Sequence, residues 1–329
     1  MTMNLRRFAG VAAALVLAAC QAKDPYEVSS SSLESARSQF QTHIVDHSFQ
    51  PDGTPARPPA GVLDLIRYPA RDGKLAAYVT PDPHDGKRHP AVIWVVGGYG
   101  GIGGPTDQLF WTPQPRANDQ SGAAFRKAGI VTMMPSFRGE NDNPGAYEMF
   151  YGEIDDIESA RAWLAAQPYV DPQRIYLVGH STGGTRALLA SELNDRFRAV
   201  FSLGGVPDLK LRIDAGEMQV AVPFDQTRPD EFRLRSPMTF VTSIKSPTFY
   251  FEGESNYWHE FDAVQTVAQN HKIPLHVFKV AEGDHFSIVA PVSDAIARKI
   301  LDDRGDTSNI AFDQADLARI TAGISREDQ

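Results

Sequence analysis

Short apolar runs and longer amphipathic ones take turns along the chain from Val62 to about residue 303. The runs at 63–68, 75–80, 91–96, 130–134, 199–204, 248–252 and 275–280 are short and rich in aliphatic and aromatic residues, as strands are. Between them, helical spacing predicts helices near 120–128 and over 153–167, 260–270 and 292–301. In 153–167 the apolar side carries Ile154, Ile157, Trp163 and Leu164, and Pro168 stands at its stop. One more strand, beginning at Ile175, runs through a tight turn into a helix over 185–193. Strand and helix alternating in this way predict an α/β fold with a mainly parallel central sheet and helices on both faces.

The pattern breaks in three places. Residues 21–32 are polar and serine-rich, which predicts a flexible tether. Ser31-x-x-Glu34 then reads as the cap of a helix with Leu33, Ala36, Phe40 and Ile44 on one face, ended by the Pro/Gly-rich stretch 51–61. Residues 207–246 are interrupted by Pro207, Pro223, Pro229 and Pro237, and predict an irregular excursion, either a cap on the mouth of a pocket or an uninvolved surface piece. The expected division is therefore a leader at 1–19, a tether with its helix at 20–61, a main domain at 62–303, and a tail at 304–329 with a short amphipathic segment at Leu317, Ile320 and Ile324.

With 329 residues, 42% of them hydrophobic, the chain can bury a sizeable core. A formal charge of −9 disfavours a phosphate backbone as partner, so no nucleic-acid function is expected. At the start, Arg6-Arg7 precedes an apolar run from Phe8 to Ala19, too short for a bilayer span and suited to the core of a signal peptide. Cys20, the single cysteine, follows in Leu17-Ala18-Ala19-Cys20, which resembles the bacterial lipobox. By that resemblance Cys20 is lipidated and the protein is held in the cell envelope by acyl chains. Gln21 in place of an aspartate points to the outer membrane, facing the periplasm.

Candidate chemistry centres on Gly179-His180-Ser181-Thr182-Gly183-Gly184, directly after the strand at Ile175 and before the helix. A serine on such a sharp turn needs small neighbours two residues to either side, because strand and helix backbones come nearly into contact. Ser181 is thus the candidate nucleophile. A serine alcohol needs a base, and His285, in the loop after strand 275–280, would reach the carboxyl edge of the sheet where the turn lies. His180 is expected to line the pocket; His259, His271 and His276 are weaker candidates for the base. His43 and His47 could share a helix face but lack further ligands, so no metal site is expected.

For the developing oxyanion, the backbone N–H of Thr182 is one candidate donor. The glycine-rich loop Gly97-Gly98-Tyr99-Gly100-Gly101 supplies the other, through Gly98 and its neighbours or the Tyr99 hydroxyl. That loop also spells Gly98-x-Gly100-x-x-Gly103, a dinucleotide fingerprint in form only. Pro105, Pro113 and Pro115 forbid the phosphate-binding helix, so no cofactor is expected. Arg138, Glu140, Glu153, Asp155 and Asp156 read as a structural ion-pair set. Phe110, Trp111, Tyr147, Phe150 and Tyr151 are candidate pocket lining.

Over about 62–303 the chain resembles the prolyl oligopeptidase family of α/β-hydrolases. The likeness rests on Gly97-Gly98-Tyr99-Gly100-Gly101 after its strand, Pro135-Ser136-Phe137-Arg138-Gly139, Val170-Asp171-Pro172, Ser181-Thr182-Gly183-Gly184, Ser236-Pro237 and Gly283-Asp284-His285. The resemblance implies an α/β-hydrolase fold, Ser181 as nucleophile, His285 as base and Tyr99 as oxyanion donor. It implies no cofactor, and a small ester or short peptide as substrate. Where the family's acid is expected, in Gly253-Glu254-Ser255-Asn256, an asparagine stands. Glu254, Asn256 and Asp208 therefore compete to orient His285. The family's peptidases commonly carry an N-terminal β-propeller, and the stretch between Cys20 and the first strand is too short for one. A carboxylesterase-like serine hydrolase is expected, with a prolyl-oligopeptidase-like peptidase and a non-catalytic envelope lipoprotein as alternatives.

Overall fold

Strands that are apolar on every residue must be covered on both sides, and the sheet meets that demand. A computed structural model describes residues 24–49, 53–217, 220–254 and 258–324. The leader, Cys20 and Asn256 lie outside the described residues. The strands are β1 (Asp64–Ala70), β2 (Gly73–Val79), β3 (His89–Val95), β4 (Val131–Pro135), β5 (Val170–His180), β6 (Val200–Leu203), β7 (Thr248–Gly253) and β8 (Leu275–Val280). They form one sheet in the order β1-β2-β4-β3-β5-β6-β7-β8. The pairs β1–β2 and β2–β4 are antiparallel, and every other neighbouring pair is parallel.

The helices among the described residues are α1 (Leu33–Ser38), α2 (Ala123–Lys127), α3 (Glu153–Ala165), α4 (Thr182–Leu193), α5 (Leu209–Asp214), α6 (Pro229–Arg233), α7 (Trp258–His271), α8 (Val289–Asp302) and α9 (Gln314–Ile324). Strand alternation divides the core between the two faces. Ala91, Ile93 and Val95 of β3 pack in one cluster with Ile154 and Leu164 of α3, Ala187 of α4 and Leu33 of α1. Val92 and Trp94 pack in the other with Phe125 of α2, Ile296 of α8 and Ile320 of α9. A third cluster forms where Phe261, Val264 and Val267 of α7 meet Tyr250 of β7. This is the mainly parallel, two-faced α/β arrangement that the alternating pattern implies, and the one that the resemblance to the α/β-hydrolases implies.

The N-terminal part differs from expectation. Ser32 caps α1, accepting from the Ser35 N–H at 3.1 Å, so the cap lies one residue beyond Ser31. The helix stops at Ser38, and Ile44 instead forms a β-bridge with Phe224 of the excursion. Residues from Asp24 onward, expected as a free tether, are docked. Asp24 meets Asn270 and His271 at 2.7 Å each, and the Ser29 N–H donates to the Thr239 carbonyl at 2.7 Å. The polar composition misleads here because Tyr26 and Val28 supply apolar contacts to the third cluster.

The charged set around Arg138 is structural. Its Nε and Nη2 donate to Asp156 at 3.0 and 2.7 Å, and the Arg138 backbone N–H adds a third bond to the same carboxylate at 3.0 Å. Arg186 pairs with Glu140 at 2.8 Å, and Asp155 holds Arg37 of α1 at 2.8 Å. Arg138 and Asp156 are each only 1% exposed, so neither can turn to water if the other is removed. Arg138→Met is expected to cost about 3–5 kcal/mol in urea unfolding by stranding the Asp156 carboxylate. The double change Arg138→Met with Asp156→Leu should recover most of that loss; a single variant as stable as wild type would contradict the pairing.

Candidate active site

The carboxyl ends of β3, β5, β6, β7 and β8 all reach one edge of the sheet, and the polar residues of interest sit there. β5 ends at His180, α4 begins at Thr182, and Ser181 alone makes the turn, with φ 54° and ψ −117°. Positive φ strains a residue with a side chain. The neighbouring glycines are forced by close approach: a Cβ on Gly179 would overlap the carbonyl of Gly183, and one on Gly183 the carbonyl of Val95. The Ser181 N–H is tied to the Leu203 carbonyl at 2.7 Å.

His285 follows β8 on a turn held by Asp284. The Asp284 carboxylate accepts from the N–H groups of Phe286 (2.9 Å) and Ser287 (2.7 Å), and the Ser287 amide in particular holds its pKa below the ordinary carboxylate value. Ser181 and His285 line the same cavity, of about 510 Å³, as the sequence reading requires.

The acid differs from expectation. His285 Nδ1 donates to Oε2 of Glu252 at 3.1 Å, while Oε1 of Glu252 accepts from the Gly253 N–H at 2.8 Å. Glu252 is the penultimate residue of β7 and is 1% exposed. Glu254 is exposed and accepts from the Glu282 N–H at 3.1 Å, bracing the turn before His285 without meeting the imidazole. Asp208 caps α5, accepting from the Leu211 N–H at 3.2 Å. The reason is geometric: a residue two positions past Glu252 has already left the sheet. The signal was present, since Thr248-Phe-Tyr-Phe-Glu252 is a buried strand and a carboxylate inside one needs a partner.

Gly204, just past β6, is the floor beneath this pair. It has φ 65°, and a Cβ on it would stand 2.6 Å from His285 Nδ1 and 2.9 Å from Glu252 Oε2. With Nδ1 donating to Glu252, the lone pair belongs to Nε2, the tautomer a base needs.

On the opposite side, Thr182 opens α4, and its hydroxyl donates to the Gly98 carbonyl at 2.6 Å, fastening the glycine-rich loop to the helix start. The Gly97 N–H donates to Gln120 Oε1 at 3.0 Å. Tyr99 lines the cavity, edge-on to Phe49, and burial pushes its phenol above the ordinary value, so it stays a donor. Among the aromatic candidates Phe150 lines the cavity, whereas Phe110 and Trp111 pack on Tyr78, and Tyr147 on Phe49. His180 lines it too. From the excursion, Arg212 and Glu217 form part of the wall, with Arg212 paired to Glu217 and, at 3.0 Å, to Glu260. Among the described residues no group of three His, Cys, Asp or Glu could hold a metal, and no helix is long and apolar enough to cross a membrane.

Comparison with known proteins bears on the family and the fold. A sequence profile of the prolyl oligopeptidase family matches residues 117–291, more than half of the chain. The uncharacterized peptidase YtmA of Bacillus subtilis (strain 168) is 27% identical over 173 residues, covering 49% of this chain and 67% of that one. Among solved structures, a puromycin-hydrolyzing peptidase of Mycobacterium tuberculosis superposes with a TM-score of 0.59 at 19% identity, over 76% of this chain and 41% of its own. A Pyrobaculum calidifontis esterase superposes with a TM-score of 0.52 at 16% identity, over 74% of this chain and 86% of its own. The structural likenesses show a shared fold, and the chain spans under half the length of the mycobacterial peptidase.

Glu252→Gln is expected to slow fluorophosphonate labelling of Ser181 by about 10²–10⁴-fold, because the amide offers His285 the wrong hydrogen-bond pattern. Glu254→Gln and Asp208→Asn should label as wild type does. The reverse ranking would return the acid to Glu254 or Asp208.

Proposed function

The chain belongs to the prolyl oligopeptidase family, and from that premise we propose that it is a serine hydrolase that cleaves an ester or amide bond through an acyl-enzyme. The observation that carries the reading is the bond from His285 to Glu252 at the edge of the cavity that Ser181 also lines. In this scheme Ser181 Oγ attacks the carbonyl carbon while His285 Nε2 takes its proton. Glu252 keeps the imidazole in the right tautomer and offsets its positive charge. The Thr182 N–H and the Tyr99 hydroxyl, with the N–H groups of the loop around Gly98, receive the oxyanion. His285 then gives the proton to the departing alkoxide or amine, and water repeats the sequence to free the acid and restore Ser181.

A carboxylate on His285 changes the ranking of substrates. An asparagine at the acid's place would favour esters, because an activated ester tolerates a weakened acid better than an amide does, and Glu252 removes that ground. Short peptides with accessible amide bonds therefore stand beside small esters, in keeping with the peptidase and esterase among its relatives. The non-catalytic alternative rested on the same asparagine and loses its support with it.

Placement in the bacterial envelope through lipidated Cys20 remains part of the proposal, supported by Arg6-Arg7, the apolar run 8–19 and the lipobox-like Leu17-Ala18-Ala19-Cys20. Palmitate labelling of wild type that vanishes in Cys20→Ser is the expected result.

Wild type is expected to release nitrophenol from 4-nitrophenyl acetate and nitroaniline from a short peptidyl anilide. Ser181→Ala should lose about 10³-fold or more of kcat on both. Turnover of either substrate by Ser181→Ala at the wild-type rate would overturn the assignment.

A further inference from the structure

The residue before the nucleophile makes contacts that the reaction scheme does not use. His180 is 1% exposed, and both ring nitrogens are engaged. Its Nε2 lies 2.8 Å from the backbone carbonyl of His285, which can only accept, so Nε2 carries the hydrogen. Its Nδ1 lies 2.6 Å from Nε2 of Gln120, an amide donor, so Nδ1 is the acceptor. The orientation of the Gln120 amide is fixed independently: Oε1 accepts from the Gly97 N–H at 3.0 Å, and Nε2 also donates to Asn118 Oδ1 at 2.7 Å. One tautomer and one amide orientation thus satisfy every bond in the chain.

Resting on the hydrolase reading above, we propose that His180 is a positioning residue, which ties the main chain of His285 to the oxyanion loop through Gln120 and the nucleophile turn. Glu252 fixes the base by its side chain alone. The backbone of His285 sits on a turn beside Glu282, whose φ is 63°, and nothing in β7 holds its carbonyl. Asp284 and Glu254 brace the turn to either side, and His180 holds the His285 carbonyl itself, from the same turn that presents Ser181. The two rings lie with centroids 4.7 Å apart, so His180 must remain uncharged when His285 takes up a proton. Burial first, and His285 beside it, push the His180 pKa down to about 3, which keeps it so. A protonated His180 would also turn an N–H toward the Gln120 amide, donor against donor.

Three variants of the full chain test this: His180→Phe, which removes both bonds at similar volume; His180→Gln, whose amide can restore a donor near the Nε2 position; and Gln120→Met. With 4-nitrophenyl acetate, His180→Phe should lower kcat about 10²-fold with KM little changed, as a displaced base does. His180→Gln should recover about tenfold of that, and Gln120→Met should lose about tenfold, each in a protein that still unfolds cooperatively on heating. In ¹⁵N-histidine NMR spectra, His180 should show a protonated Nε2 and bare Nδ1 throughout about pH 5–8. Wild-type kcat in folded His180→Phe, no recovery in His180→Gln, or a His180 that titrates in that range would each overturn the inference. If His180→Phe does not fold, Gln120→Met and the NMR tautomer decide. A wild-type protein that takes no fluorophosphonate at Ser181 would instead sink the hydrolase reading itself, and this inference with it.

Discussion

One strained backbone residue governs the carboxyl edge of the sheet. Ser181 is held at positive φ, a conformation that costs a residue with a side chain on the order of 1–3 kcal/mol and persists only when its surroundings over-determine it. They do: its N–H is fastened to β6, its carbonyl accepts the Thr185 N–H at 3.0 Å, and the glycines beside it leave no space into which the turn could relax. On one side β5 is buried in the cores on both faces of the sheet, and on the other α4 is buried against one of them. Relaxing the turn would mean pulling a central strand away from β3 and β6. The position of the serine oxygen is therefore a property of the whole sheet.

The same economy places the base. Strand parity sends Thr248, Tyr250 and Glu252 to one side of β7 and Phe249 and Phe251 to the other, where the two phenylalanines join the core cluster beneath α8 and α9. Glu252 thus emerges at the sheet edge beside the β6 end, and Gly204 leaves the space that the carboxylate and imidazole occupy. A side chain at 204 would separate the pair. Two glycine-dependent approaches, at the turn and at the β6 end, therefore determine both how Ser181 is presented and how Glu252 reaches His285.

Sequence patterns revealed the parts that depend on local rules. Periodicity located seven strands to within two residues, because strands buried on both faces have little freedom in composition, while β5 begins at Val170, five residues before Ile175, because its opening stretch is polar; the turn around Ser181 announces itself by glycines that nothing else would require. His285 was legible from its place after β8. The acid was not, because its identity depends on which strand end lies beside β6 in space, and the familiar loop position drew attention to Glu254 and Asn256. The end of α1 was equally illegible: Phe40 and Ile44 keep helical spacing, but pairing of Ile44 with Phe224 wins over continuing the helix. The docking of residues 24–32 was hidden for the same reason, since its partners lie more than two hundred positions away.

How the cavity wall is held bears on what can enter. The excursion that contributes Arg212 and Glu217 is braced just after α6 by buried Arg235, which donates to the Glu148 carbonyl at 3.0 Å, to Glu231 of α6 and to Thr42 of the N-terminal segment at 2.7 Å. Glu231 in turn accepts from Thr42 and from the His43 N–H, at 2.8 and 2.7 Å. Arg37 links the same segment to the Tyr151 carbonyl and to Asp155 of α3. Swinging this wall outward would break these ion pairs and hydrogen bonds together, more than an ordinary surface loop would lose. The rim that Arg212 and Glu217 contribute is thus anchored, through the N-terminal segment, to α3 on the face of the sheet.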